Sequence, residues 1–89
     1  MMRKARISLR ELLGDISPEE RASARLSFQI SNRLDELMTQ KGLTKKQLAE
    51  AIGKRPSEIT RWLSGEHNFT ISTLAMLSTF FGEPIISVT

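Results

Sequence analysis

The chain has 89 residues, with 39% hydrophobic, 26% charged, a net charge of +3 and no cysteine. That length holds one small domain with a modest core, so a second copy is expected to supplement its stability. Disulfides and thiolate metal sites are excluded and no apolar run is long enough to span a bilayer. The basic start, Met1 to Leu13, lacks the apolar segment and cleavage site of a secretory signal, so a cytoplasmic protein is the expectation.

The first element is short. Ser8-Leu9-Arg10-Glu11 fits a capping box, Leu12 and Leu13 follow, and Gly14 stops it. Ser17-Pro18-Glu19-Glu20 is a stronger start, with a hydroxyl cap, proline at the first helical position and two acids at the positive end of the dipole. Leu26, Ile30, Leu34, Leu37 and Met38 then follow three-and-four spacing, and Gly42 ends the helix. Pro18 to Lys41 gives roughly 36 Å of helix. The first half, carrying Arg21, Arg25 and Phe28, is expected to project beyond the core. Ser23, Ser27 and Ser31 are poor helix formers and mark where a break would fall.

Thr44-Lys45-Lys46-Gln47 is a third capping box, followed by Leu48, Ala49 and Ile52 and closed by Gly53. The next helix opens at Pro56 with Arg55 as a weak cap. It turns Ile59, Trp62 and Leu63 inward and is expected to run to Ser64, before Gly65. A loop, Glu66 to Phe69, leads to the cap Thr70 and a last helix with Leu74, Leu77 and Phe81 inward, ended by Gly82. In the tail, Pro84 discourages helix and the β-branched residues favour a strand. No partner strand is evident, and a lone strand is unstable. The simplest partner is the same tail of a second copy across a two-fold axis. Ile85, Ile86 and Val88 are therefore the candidate dimerisation residues, and a frayed terminus is the alternative.

Between Lys41 and Arg61 lie six cations (Lys41, Lys45, Lys46, Lys54, Arg55, Arg61) against two anions (Glu50, Glu58), a local net charge of +4. Such a patch suits a polyanionic partner, or is simply a solvated lysine-rich surface. Geometry adds to it. Two short helices joined by a tight glycine turn cross rather than run side by side, which is the helix-turn-helix arrangement. Ala49 must be small where the second helix passes over it, Gly53 permits positive φ in the turn, and Ile59 with Trp62 plugs the second helix into the core. The opposite face of that helix must then meet solvent.

LTKKQLAEAIGKRPSEITRWLSG followed by NFTISTLAMLSTFFG resembles the Cro/lambda-repressor type of helix-turn-helix domain, the XRE family, over about Ile30 to Gly82. Within it the chain looks most like higA-type antitoxin regulators, short proteins with a helical N-terminal extension and often a C-terminal dimerising strand. The resemblance implies an all-α, five-helix, lambda-repressor-like domain, with residues 1–28 as N-terminal extension and 29–89 as DNA-binding domain with its C-terminal strand. It implies a recognition helix at Pro56 to Ser64 entering the major groove. Arg55, Pro56, Ser57 and Arg61 fall where the family reads bases, an arginine there being able to bond guanine O6 and N7 together. Thr44, Lys45, Lys54, Thr60, Ser64 and Asn68 fall at or near the positions that hold phosphates. The family often has glutamine where Pro56 and Lys45 stand. Proline reduces base readout there to apolar contact with a thymine methyl, and lysine exchanges a directional bond for a charge contact. Glu58 either accepts from cytosine or favours its own helix N-terminus, the second reading being preferred.

The remaining side chains point to no catalysis. Trp62 reads as a core anchor, and His67, the single histidine, as a loop residue that cannot build a zinc site alone. Adjacent acids such as Asp35-Glu36 diverge on a helix. No metal or other cofactor is expected. The expected protein is a homodimeric repressor of double-stranded DNA with an inverted-repeat operator, acting as the antitoxin of a toxin–antitoxin pair. The alternative is a module that neutralises a toxin mainly by protein contact through the extension, where Leu9, Leu12, Leu13 and Ile16 make an apolar face.

Overall fold

The capping signals close as their spacing requires. In the computed structural model, which describes residues 17–86, Ser17 Oγ accepts the Glu20 N–H at 3.0 Å and Glu20 Oε1 accepts the Ser17 N–H at 2.9 Å. Helix α1 follows over Pro18–Lys41. It runs unbroken through all three serines. Each costs only about 0.5 kcal/mol of helix propensity, too little to interrupt a cooperative 24-residue helix. Thr44 and Gln47 cap each other in the same reciprocal way before α2, Lys45–Ile52. Then come α3, Pro56–Trp62, and α4, Ile71–Phe81, the latter capped by Thr70 Oγ1 accepting the Thr73 N–H.

The core is assembled from one stripe of each helix. Ile30, Leu34, Leu37 and Met38 of α1, Leu48 and Ala49 of α2, Ile59 and Trp62 of α3, and Leu77 and Phe81 of α4 are all buried together. Burial on α1 begins only at Ile30. Before it, Leu26 and Phe28 remain 51% and 58% exposed, so the first half does extend past the core. Phe28 lies over the loop after α3: a Cβ placed on Gly65, which sits at φ +89°, would come within 3.2 Å of its ring.

Two expectations need correction. Among the described residues there are four helices, and the fifth expected element, Ser8–Gly14, lies outside them. Helix α3 stops at Trp62, two residues before the expected Ser64. The reason is a group distant in sequence. The buried Ser31 hydroxyl donates to the Trp62 carbonyl and accepts the Gly65 N–H at 3.1 Å, drawing the chain out of the helix.

The second correction concerns the tail. No strand forms among the described residues, and Val88 lies outside them. Ile85, expected on a dimerising strand, is only 4% exposed and belongs to the chain's own core, while Ile86 lines a cleft against Leu26 and Ile30. Arg33 imposes this course. Its Nε donates to the Pro84 carbonyl at 3.2 Å, Nη1 to Glu36 at 2.7 Å and Nη2 to Glu83 at 3.1 Å. The bond to Glu36 is the main reason its guanidinium pKa lies above the ordinary value, with Glu83 adding to it. Ser78 Oγ then accepts the Ile85 N–H at 3.1 Å, so the tail's polar groups are held by α1 and α4.

Candidate nucleic-acid interface

The interface is built from the turn outward. After α2, Gly53 adopts φ +73° and Ala49 O accepts the Lys54 N–H at 2.8 Å, which reverses the chain within two residues. Nothing lies within 4 Å of a Cβ placed on Gly53, so the glycine answers to backbone conformation alone. Ala49 is fully buried in the cluster that also holds Ile59 and Trp62, the setting its small size predicts. With those two residues of α3 facing inward, Arg55, Pro56, Ser57, Thr60 and Arg61 are left exposed.

Each candidate can be placed. Arg55 has no side-chain capping bond; instead Glu58 reaches back, its Oε1 accepting the Arg55 N–H at 3.0 Å. That gives Glu58 the helix-start role preferred for it. Pro56 occupies the first helical position. Thr60 Oγ1 donates to the Pro56 carbonyl at 3.2 Å, and Ser64 Oγ donates to the Arg61 carbonyl at 2.7 Å while accepting the Glu66 N–H. Both hydroxyl protons are engaged within the chain and must turn outward to meet a phosphate. Thr44, Lys45 and Lys54 are exposed around the start of α2 and the turn. Asn68 is exposed in the loop and lines clefts beside Ser23 and Ser27 of α1.

The electrostatics favour an anion. Among the described residues the ion pairs are those of Arg33 with Glu36 and Glu83. Lys45, Lys54, Arg55 and Arg61 therefore have no described carboxylate within 4 Å. The first N–H groups of α2 have no carbonyl partner within the helix and lie at the positive end of its dipole, beside Lys45 and Lys46.

Some determinants escaped the pattern. By propensity Ser31 is only a weak helix former, yet its hydroxyl fixes the end of α3. The hold of Arg33 on the tail carried no signal, because Glu83 and Pro84 are 50 and 51 residues away. Trp62 is buried, and His67 packs edge-on against Phe69 with ring centroids 4.7 Å apart, in the loop below α3. Among the described residues, no cluster of metal-ligating side chains occurs and no helix is long and apolar enough to cross a membrane.

A helix held by its inner residues, with guanidinium groups on its outer side and a glycine turn before it, defines a DNA-binding transcription regulator of the helix-turn-helix class. The helix-turn-helix family profile matches residues 34–87, more than half of the chain, and the chain belongs to that family. No curated protein and no solved structure matches it.

Proposed function

We propose that the protein is a sequence-specific repressor that binds an inverted-repeat operator as a homodimer. Arg55, Ser57 and Arg61 read base edges, Pro56 touches a thymine methyl, and Thr44, Lys45, Lys54, Thr60, Ser64 and Asn68 hold phosphates. The observation that carries this reading is the outward face of α3, where Arg55 and Arg61 stand exposed with no described carboxylate beside them. Two such helices about 34 Å apart meet successive major grooves on one side of a duplex. The test is binding to an operator selected from random duplexes. If each subunit neutralises about four phosphates, affinity falls by roughly 10³ to 10⁵ between 50 and 200 mM salt. A curve flat in salt overturns the reading.

The protein also serves as the antitoxin of a toxin–antitoxin pair and represses its own operon. What supports this part is the projecting first half of α1, largely outside the family match, with Leu26 exposed. Replacing Leu26 by glutamate abolishes neutralisation of the protein encoded by the adjacent reading frame and leaves operator binding intact. Neutralisation unchanged by that replacement refutes the α1 face as the toxin contact, and no neutralisation by the unaltered chain refutes the antitoxin role.

A further inference from the structure

The two ends of α3 are anchored to different helices. At its start the described hydrogen bonds are local: the Ala49 carbonyl of α2 accepts the Lys54 N–H, and Glu58 reaches back to Arg55. Near its end the Arg61 carbonyl is also served locally, by the N–H and the hydroxyl of Ser64. The groups that follow are not. The Trp62 carbonyl and the Gly65 N–H both bond to one hydroxyl of α1, that of the buried Ser31. Phe28 stands three residues before Ser31, on the same side of α1. Its ring lies over Gly65, although the residue is otherwise largely exposed. Two side chains of α1 thus converge on residues 62–65, directly after Arg61.

We propose that Ser31 and Phe28 are positioning residues for base reading: by gripping the chain after α3 they set the tilt of that helix, and with it the place of the Arg61 guanidinium on the duplex. The proposal rests on the repressor reading above and deepens it. Helix α3 has seven residues, so it is a rod about 10 Å long, and a tilt of about 6° displaces its end by about 1 Å. A displacement of that size takes a hydrogen bond from its optimum to beyond its limit. Arg61 stands at the moving end and its bidentate contact is the directional kind that such a shift destroys. Arg55 stands at the end anchored to α2 and is left in place. Lys45 and Lys54 lie before the rod, and a lysine on a flexible stem follows a phosphate through small movements. Loss of the Ser31 hydroxyl therefore acts on one base position and spares the general attraction for DNA.

The test uses the full chain and the operator selected from random duplexes, with each base pair changed in turn. Arg61→Ala and Arg55→Ala identify the base pair that each arginine reads. Ser31→Ala, shown to be folded by circular dichroism, then loses about tenfold in preference at the Arg61 pair, most of what one bidentate contact supplies, and keeps its preference at the Arg55 pair. Binding to random duplex and its salt slope are unchanged. In the Arg61→Ala background, Ser31→Ala causes no further loss at that pair, because no guanidinium is left to misplace. These ratios compare duplexes on one preparation, so a smaller folded fraction does not alter them. If Ser31→Ala does not fold, Phe28→Ala, at an exposed position, decides by a loss of about threefold in the same ratio. A folded variant that keeps the ratio, or that weakens every duplex alike, overturns the proposal and leaves the repressor reading standing. Equal losses at the Arg55 and Arg61 pairs mean that α3 shifts as one body, and also overturn it. An unaltered chain with no preference among duplexes overturns the repressor reading and this proposal together.

Discussion

Helices α3 and α4 are constructed alike on the inside and oppositely on the outside. Each is a short rod held by a pair of large buried residues, Ile59 and Trp62 in one, Leu77 and Phe81 in the other. Outward, α3 shows Arg55, Ser57 and Arg61, whereas α4 shows Ile71, Ala75, Thr79 and Phe80. Burial requires apolar inner residues of both, so the inner faces say little about function. The outer faces are unconstrained by folding, and they differ in charge: α3 carries two exposed guanidinium groups and α4 none.

The comparison breaks first if the inner faces are unequal. Trp62→Ala is expected to cost about 3–5 kcal/mol and Leu77→Ala about 2–5 kcal/mol by urea denaturation, a large part of a small domain's stability. A loss under 1 kcal/mol for either would mean that helix is not held as described. Next in size is Ser31→Ala. It leaves the buried Trp62 carbonyl and the Gly65 N–H without their hydroxyl, and should cost about 1–3 kcal/mol. Hydrogen exchange should show the loss concentrated at the end of α3 and absent from α4, where Gly82 caps the helix unaided.

The outer faces are sharpened by smaller effects. Arg61→Ala should change stability by less than about 0.5 kcal/mol, yet reduce discrimination at one base position by about 1–3 kcal/mol in competition binding. Lys45→Ala should weaken every duplex alike and lower the salt slope by about one per subunit. If the two variants lose affinity equally on all sequences, the division between base reading and phosphate holding is wrong.

How much of this was legible in the residues depends on the reach of each interaction. Ser17 with Glu20, Thr44 with Gln47, and the glycines at 42, 53 and 82 act over three or four positions, so the helix starts and most of the stops could be placed by spacing. The turn, the small Ala49 and the wedge of Ile59 and Trp62 were readable for the same reason, and with them the outward face of α3. The end of α3 lies beyond that reach, because the hydroxyl that draws it out belongs to Ser31, 31 residues earlier.

By itself, then, the sequence determined the four helices, the glycine turn and which residues of α3 face away from the core, since caps and periodicity are local. Tertiary structure alone decided the course of the tail. Its β-branched residues favour a strand, but Arg33 binds Glu83 and Pro84, Ser78 accepts the Ile85 N–H, and Ile85 gains a place in the core. It also decided that the uncharged side of α4 would lie next to a groove ending on α2. Both depend on residues far apart in the chain meeting in space, and a local propensity of a few tenths of a kcal/mol per residue yields to a buried side chain and several hydrogen bonds.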